Sequence, residues 1–346
     1  MISERELIKK ILRISSVSKK DPALVSGIGD DCAIIAPDPS RHLAVTTDTM
    51  VETVHFDLSY FAPWHLGRKL ASVNLSDLAA ASARPRWAFL NIAMRPGLSE
   101  DFWDVFFSGL CSRLDEYGAF LAGGDTVSSP KHLTLTLTLV GDVDKEKRLT
   151  RNSASPGDLV FCSGFLGEAA CGLLWLMKMK EKGIKGLNCL SSSGLPDQSV
   201  GKVVRRHLDP EPRLKLSSAL AASGFVKAGI DISDGLSTDL SHICEESKAG
   251  AAIYPDAIPI SEETQAVARL LSQNPINLAL SGGEDYELLW TAPERFKDQV
   301  ISIASEAMGC PPNIIGKIVA GKGVFLKDGE EMRDVSFKGY EHKCST

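Results

Sequence analysis

The chain has 346 residues, of which 44% are hydrophobic and 24% are charged, as expected for a globular protein with an ample core. At roughly 150 residues per domain this length suggests two domains. The net charge of −6 argues against general nucleic-acid binding, and no apolar run approaches the roughly 18 to 20 residues of a membrane span.

Strands and helices are mixed in the first half of the chain. Pro63 suits a first helical turn, and Ser99 is a preferred N-cap. Leu and Thr alternate with period two from Leu133 to Val140, which predicts a half-buried strand with one apolar face. The predicted elements are a helix over 5–16, strands at 32–36 and 43–49, a helix over 63–83, a strand at 87–94, a helix over 99–117, and strands at 120–122 and 133–140.

The polar segment 142–156 predicts a boundary between domains over 1–145 and 146–346. A strand–turn–helix unit follows from Leu159, and the Gly-, Ser- and Lys-rich segment 181–201 predicts a mobile surface loop. AGIDISDG predicts a strand that meets a helix capped by Ser233 or Asp234. A helix near 294–308 and a hairpin with Asp328-Gly329 at its turn complete an α+β or α/β pattern.

The eight cysteines are scattered and form no CxxC pair, which fits neither a disulfide framework nor a zinc site. We therefore expect buried thiols in a reducing cytosol. The first residues, MISERELIKKILRISS, mix both charge signs and lack the apolar core of a signal peptide. These features predict a cytoplasmic protein.

Seven aspartates stand out, because six of them follow an apolar run at a predicted turn and the seventh, Asp77, lies inside a predicted helix. The six are Asp30, Asp31, Asp48, Asp125, Asp231 and Asp234. Carboxylates with Thr and Ser hydroxyls are the hard oxygen ligands that Mg²⁺ prefers. Since converging carboxylates cannot all ionise without cations, the pattern predicts a site for metal and phosphate.

Asp77 continues an apolar stripe formed by Leu66, Leu70 and Val73. Burying an aspartate there is costly unless it is paired or metal-bound, which favours a functional role. The alternative is that Asp77 lies at the exposed end of the stripe, or bonds nearby backbone.

The other aspartates also have ordinary interpretations. The strand at 43–49 places Thr46 and Asp48 on one face, although TTDT could be simple strand and turn composition. The Gly-Gly before Asp125 allows a phosphate cradle or only a tight turn. An acid in DISDG is most often a helix cap. The accumulation of such turns is what these interpretations leave unexplained.

Known nucleotide-binding and hydrolase motifs are missing from the sequence. It contains no GxxxxGK[ST] loop, complete GxGxxG motif, protein-kinase signature or GxSxG elbow. A bound nucleotide would therefore need metal ions bridged by aspartates, helped by isolated bases such as Arg151.

Eight motifs, in order and over nearly the whole chain, resemble the thiamine-monophosphate kinase family within the aminoimidazole-ribonucleotide-synthetase-like ATP-binding superfamily. They are GIGDDCAII (27–35), TTDTMVETVHF (46–56), NLSDLAAASARP (74–85), GGDT (123–126), RLTRNSASPGD (148–158), DISDGLSTDL (231–240), SGGEDYEL (281–288) and KGYEH (338–342). Each motif is weak alone, but their joint order is very specific.

The resemblance implies the last step of thiamine diphosphate biosynthesis, a direct, Mg²⁺-assisted in-line transfer of the γ-phosphoryl of ATP to thiamine monophosphate without a catalytic side chain. It implies metal ligands at Asp31, Thr46, Thr47, Asp48, Asp77, Asp125, Asp231 and Asp234. It implies nucleotide contacts at Tyr117, Gly124, Asp125, Arg151 and Ser233. It implies thiamine-phosphate contacts at His55, Glu284 and Tyr340.

The last three residues also have structural interpretations. His55 could be a surface turn residue, and Glu284 could be loop charge. Tyr340 could simply cover the core, although an aromatic face suits the cationic thiazolium.

The implied fold is α+β, with two domains. An N-terminal ATP- and Mg-binding sheet forms a β-barrel across a homodimer, and a C-terminal α/β domain completes the active site. Two alternatives remain: another ATP-dependent reaction of the superfamily, of the selenophosphate-synthetase or hydrogenase-maturation kind, or a non-catalytic nucleotide or metal sensor. The resemblance implies neither nucleic-acid nor membrane partners.

Overall fold

The computed structural model describes residues 6, 10–11, 13, 21–28, 31–184 and 197–341. The chain divides into two compact units, one formed by 1–78 and 83–146 and the other by 79–82 and 147–346. Most of the predicted helix over 5–16, Asp30, and residues 185–196 of the predicted loop lie outside the described residues. No helix in the described part of the chain is long and apolar enough to cross a membrane.

The N-terminal unit is built on a four-stranded sheet of order β3–β6–β4–β5, beside a small ladder of β1 and β2. Ser99 caps the second helix as predicted, accepting a hydrogen bond from the amide of Phe102. The described elements are β1 (Leu24–Ser26), β2 (Ile34–Ile35), β3 (Arg41–Val51), α1 (Pro63–Ala80), β4 (Arg84–Met94), α2 (Glu100–Glu116), β5 (Phe120–Ser128) and β6 (Thr134–Asp144).

The predicted alternation along β6 is confirmed. Leu135, Leu137 and Leu139 are fully buried, whereas Thr136 and Thr138 lie half-buried on the opposite face. The two threonines exchange hydroxyl hydrogen bonds with threonines of β3 across an antiparallel ladder. One face of this sheet is therefore apolar core and the other carries a row of threonines.

The C-terminal unit is built on a seven-stranded sheet of order β13–β12–β9–β11–β7–β10–β8. Its strands are β7 (Asp158–Cys162), β8 (Gly229–Ile232), β9 (Gly250–Ile253), β10 (Glu287–Pro293), β11 (Asn313–Val319), β12 (Gly323–Asp328) and β13 (Glu331–Asp334). Its described helices are α3 (Glu168–Glu181), α4 (Asp197–Leu208), α5 (Leu214–Ser223), α6 (Leu236–Ser247), α7 (Glu262–Leu270), α8 (Pro275–Ser281) and α9 (Lys297–Met308).

Both faces of this sheet are buried at β7. Along β7, Val160 and Cys162 pack into one hydrophobic cluster, and Leu159 and Phe161 pack into another on the opposite face. A strand that is covered on both faces has a continuous apolar sequence, which is why this segment shows no alternation of apolar and polar residues. The predicted hairpin between β12 and β13 is confirmed, but its turn is one residue further along, at Gly329 and Glu330, because Asp328 still pairs with Glu331.

Several local predictions were wrong. Asp125 lies within β5 rather than at a turn, because β5 continues through GGDT beside β4, whereas Asp48 lies within β3 in agreement with the predicted strand over 43–49. Helix α4 begins at Asp197, inside the segment predicted as a loop. The N-cap of α6 is Gly235, and neither Ser233 nor Asp234 caps it with its side chain.

The prediction of uniformly buried cysteines was also wrong. Cys32 and Cys310 are exposed, whereas Cys162, Cys171 and Cys244 are buried. The six described cysteines are all free thiols.

Candidate functional site

A cavity of about 510 Å³ lies at the β5 edge of the N-terminal sheet. Asp31 and Asp125 both line it, together with Gly123 and Gly124. This volume is typical of small-molecule pockets. The fold therefore brings two of the predicted carboxylates to one concave surface beside exposed backbone.

Gly124 is required by the close approach of β5 to β4. Its φ is +150°, and a Cβ at this position would lie 2.0 Å from the carbonyl oxygen of Leu90. Only glycine fits such a contact. The next residue, Asp125, accepts a hydrogen bond from the amide of Thr126 at 2.9 Å, which fixes its carboxylate beside the cavity.

A second acidic group in the N-terminal unit joins β3 to α1. The hydroxyl of Thr46 donates a hydrogen bond to Asp77, so the aspartate that continues the apolar stripe is paired. Strand alternation places Asp48 on the same side of β3 as Thr46. Thr47 points to the opposite face, where its hydroxyl lies 3.0 Å from that of Thr138. The Thr47 hydroxyl and the side chains of Thr46 and Asp48 therefore lie on opposite faces of β3.

His55 and Tyr117 occupy turns at the ends of elements. Nδ1 of His55 accepts a hydrogen bond from the amide of Val51 at 3.0 Å, and the His55 amide donates to the Val51 carbonyl. Tyr117 is the half-buried C-cap residue of α2. Neither residue is among those that line the cavity.

In the C-terminal unit, β8 delivers Asp231 to the start of the loop that leads into α6. Asp231 is buried, and Ser233 and Asp234 follow it in the half-buried loop. One oxygen of Asp239, in the first turn of α6, accepts hydrogen bonds at 3.1 Å from the amides of Ser233, Asp234 and Gly235. A helix side chain thereby holds the whole acidic loop.

Asp239 itself is electrostatically crowded. Burial, followed by the charges of Asp231 and Asp234, raises its pKa well above the usual value, although the loop amides act in the opposite direction. Three carboxylates so arranged favour binding of a cation or a proton nearby.

The DISDG loop also binds the backbones of two predicted substrate residues. The amide of Glu284 donates to the carbonyl of Ser233 at 2.7 Å, and the amide of Tyr340 donates to the carbonyl of Asp234 at 2.9 Å. The Tyr340 side chain is 51% exposed and is therefore accessible to a ligand. The C-terminal unit thus brings Ser233, Asp234, Glu284 and Tyr340 together.

Arg151, the predicted isolated base, is exposed, and its carbonyl accepts a hydrogen bond from Ser247. Across the described residues, no three acidic, histidine or cysteine side chains are arranged as a ready-made metal site. Any Mg²⁺ bound by these residues would therefore take further oxygen ligands from water or phosphate, as this ion usually does.

A buried ionic network lies behind the Glu284 loop. Glu287 is 1% exposed and contacts Arg206, Arg213 and the hydroxyl of Ser163. Burial alone would raise the pKa of Glu287, but the two guanidinium groups hold it below its usual value. A paired, ionised carboxylate is thus fixed two residues after Asp285.

Asp285 is fully buried and accepts hydrogen bonds from the amides of Gly167 and Ala169, at the start of α3. Burial raises its pKa to about 7. It was not singled out from the sequence, and neither were Asp239 and His207. An acid on the first turn after DISDG was a usable signal for Asp239, whereas the partners of the other two come from distant segments.

The chain belongs to the AIR synthase related proteins. The N-terminal domain family of that name matches residues 29–143, and the C-terminal domain family matches residues 174–329. Within this class it is a member of the thiamine-monophosphate kinase family. It is 35% identical over 345 residues to the thiamine-monophosphate kinase of Haemophilus influenzae, covering 99% of this chain and 98% of the relative.

Solved structures agree with this membership. The thiamine-monophosphate kinase of Stenotrophomonas maltophilia K279a matches with a TM-score of 0.78 and 35% identity, covering 93% of this chain and 96% of the other. The structure of "AaThiL complexed with AMPPCP and TMP" matches with a TM-score of 0.71 and 30% identity, covering 95% of both chains. The two-domain α+β fold expected from the sequence is therefore confirmed.

Proposed function

We propose that this protein phosphorylates thiamine monophosphate to thiamine diphosphate at the expense of ATP, releasing ADP. The observation that carries the proposal is the DISDG loop, whose backbone binds both Glu284 and Tyr340 while Asp239 holds its amides. The clustered carboxylates suit cations that would bridge to phosphate, and the exposed Tyr340 ring suits a cationic heterocycle. The family membership and the relative bound to AMPPCP and TMP support the same reaction.

The acidic residues of both units are suited to Mg²⁺, because all of them present hard oxygen ligands. We propose as ligands Asp31, Thr46, Thr47, Asp48, Asp77, Asp125, Asp231 and Asp234, with Thr47 contributing a backbone oxygen because its hydroxyl lies on the other face of β3. Bound Mg²⁺ would neutralise phosphate charge.

The remaining residues would position the two substrates. Gly124 and Asp125 line the cavity, and we expect them to contact the nucleotide there. Tyr117, Arg151 and Ser233 would supply further contacts to the nucleotide. His55, Glu284 and Tyr340 would contact thiamine monophosphate. Such a site contributes positioning and charge neutralisation, since in-line phosphoryl transfer needs little covalent help from the protein.

We also propose that the protein is a homodimer whose N-terminal sheets close a β-barrel. On the threonine face of the sheet, Leu43 is 49% exposed and Val45 is 64% exposed, both on the edge strand β3. An exposed edge strand with apolar side chains promotes aggregation, and pairing with a second copy would prevent this by covering the strand.

The proposal is tested by incubating the protein with ATP, Mg²⁺ and thiamine monophosphate, and measuring ADP and thiamine diphosphate together. Equal amounts of both products are expected. ATP turnover without thiamine diphosphate would favour another reaction of the superfamily. Nucleotide binding without turnover on any phosphate acceptor would favour a sensor.

A further inference from the structure

The loop that carries Glu284 has a strained backbone. Glu284 has a φ of +69° and Tyr286 a φ of +50°, values that residues other than glycine seldom adopt. Such conformations persist only where the surrounding structure imposes them, and they concentrate at ligand-binding positions.

Two consecutive residues in the last turn of α4 contact two consecutive residues of the loop. Nδ1 of His207 lies 3.0 Å from Oε2 of Glu284, and Arg206 donates a hydrogen bond to the carbonyl oxygen of Asp285 at 2.9 Å. One contact fixes the side chain of Glu284 and the other fixes the backbone that follows it.

Burial makes the His207 contact a rigid one. The His207 side chain is 1% exposed, whereas that of Glu284 is 26% exposed. The imidazole is therefore packed in place, and the carboxylate that it holds still reaches solvent. Behind the loop, Arg206 is itself anchored to the buried Glu287.

We infer that His207 is a positioning residue that holds the Glu284 carboxylate in the orientation required to bind thiamine monophosphate. This inference rests on the proposed function and assigns a role to a residue that does not itself touch the substrate. At metal sites, loss of a residue that orients a ligand typically costs 10- to 100-fold in affinity or activity, and we expect an effect of the same order here.

Two amide substitutions separate geometry from simple loss of packing. Asparagine places its side-chain NH₂ near the position of Nδ1 in histidine, and glutamine places it near Nε2. His207→Asn can therefore still donate to Glu284, whereas His207→Gln cannot, although both bury one amide. The matched control is Arg205→Gln, an exposed residue in the same helical turn.

The readouts are kcat, the KM values for thiamine monophosphate and ATP, and the calorimetric Kd of thiamine monophosphate. We expect His207→Gln to raise the KM and Kd for thiamine monophosphate at least about tenfold, with the KM for ATP changed by less than about twofold. His207→Asn and Arg205→Gln should stay within about threefold of the wild type on all measures.

Equal effects of the asparagine and glutamine variants, or a parallel rise in both KM values, would overturn the inference while the wild-type activity upheld the proposed function. A wild type that neither binds nor converts thiamine monophosphate would overturn both. If His207→Gln fails to fold, Glu284→Gln decides: no rise in the Kd for thiamine monophosphate would overturn the inference.

Discussion

The carboxylate of Asp239 accepts a hydrogen bond from the amide of Asp234 at 3.1 Å, across the turn that connects β8 to α6. The same oxygen also binds the amides of Ser233 and Gly235. Asp239, a buried acid of the DISDGLSTDL motif, thus sets the shape of the loop that carries the proposed ligand contacts Ser233 and Asp234.

Replacing Asp239 with alanine should destabilise the protein by about 2–4 kcal/mol, because three loop amides lose their acceptor. Chemical denaturation at neutral pH measures this free energy of unfolding. Glu245→Ala, an exposed acid on the same helix, should change it by less than about 0.5 kcal/mol. Equal effects of the two substitutions would show that the amides do not depend on Asp239.

Replacing Thr46 with valine removes the hydroxyl that donates to Asp77 while preserving the shape of the side chain. We expect the Mg²⁺ concentration for half-maximal activity to rise at least about tenfold, as for loss of a ligand or of its partner. The control is Thr49→Val, whose hydroxyl bonds Thr136 on the other face of β3. A Mg²⁺ titration with the same midpoint in both variants would contradict the role of the Thr46 face.

Replacing Gly124 with alanine should lower the melting temperature and abolish nucleotide binding, since the new Cβ would clash with the Leu90 carbonyl. Gly201→Ala is the matched control, because Gly201 lies in helix α4 and a Cβ added there would meet no atom of the described residues within 4 Å. That substitution should leave stability unchanged or raise it by up to about 1 kcal/mol. Thermal unfolding with and without ATP measures both effects: the melting temperature reports stability, and its rise on adding ATP reports nucleotide binding.

Asp285 should make stability depend on pH. Its folded pKa of about 7 lies above the value of ~3.9 for an unfolded aspartate. The folded state therefore binds more protons between these values, and the contribution of Asp285 is fully present below about pH 4 and lost as the pH rises toward 7, by up to ~1.4 kcal/mol per pH unit.

Asp285→Asn removes this titration. The free energy of unfolding of the wild type, minus that of the variant, should therefore fall as the pH rises from about 4 to about 7. Urea denaturation at several pH values measures the difference. A difference that stays constant with pH would mean that Asp285 does not titrate in this range.

The sequence predicted correctly those elements whose signal lies in neighbouring residues. The Leu and Thr alternation of β6 and the Ser99 cap of α2 depend only on neighbouring residues, and both are confirmed. Asp125 was placed at a turn because a charged residue after two glycines resembles a strand end. Ladder pairing with β4, which no local pattern reveals, extends β5 through it.

The residues that support the site were the least predictable. His207 meets Glu284, and Asp285 meets Gly167, across large separations in sequence. In the sequence alone, His207 and Asp285 resemble ordinary polar residues, because nothing local shows that they are buried. By contrast, the DISDG and SGGEDYEL motifs could be recognised in order, and the fold places their backbones in contact.

The most direct test of the proposed reaction is thiamine diphosphate formation by the wild type, by Asp48→Asn and by Asp328→Asn. The last is a control at the exposed final residue of β12, beside the β12–β13 turn. We expect the wild type and the control to form product at similar rates, and Asp48→Asn to lose at least about 100-fold, because a proposed carboxylate ligand of Mg²⁺ is removed. Asp48→Asn turning over at the wild-type rate would contradict the metal-assisted mechanism.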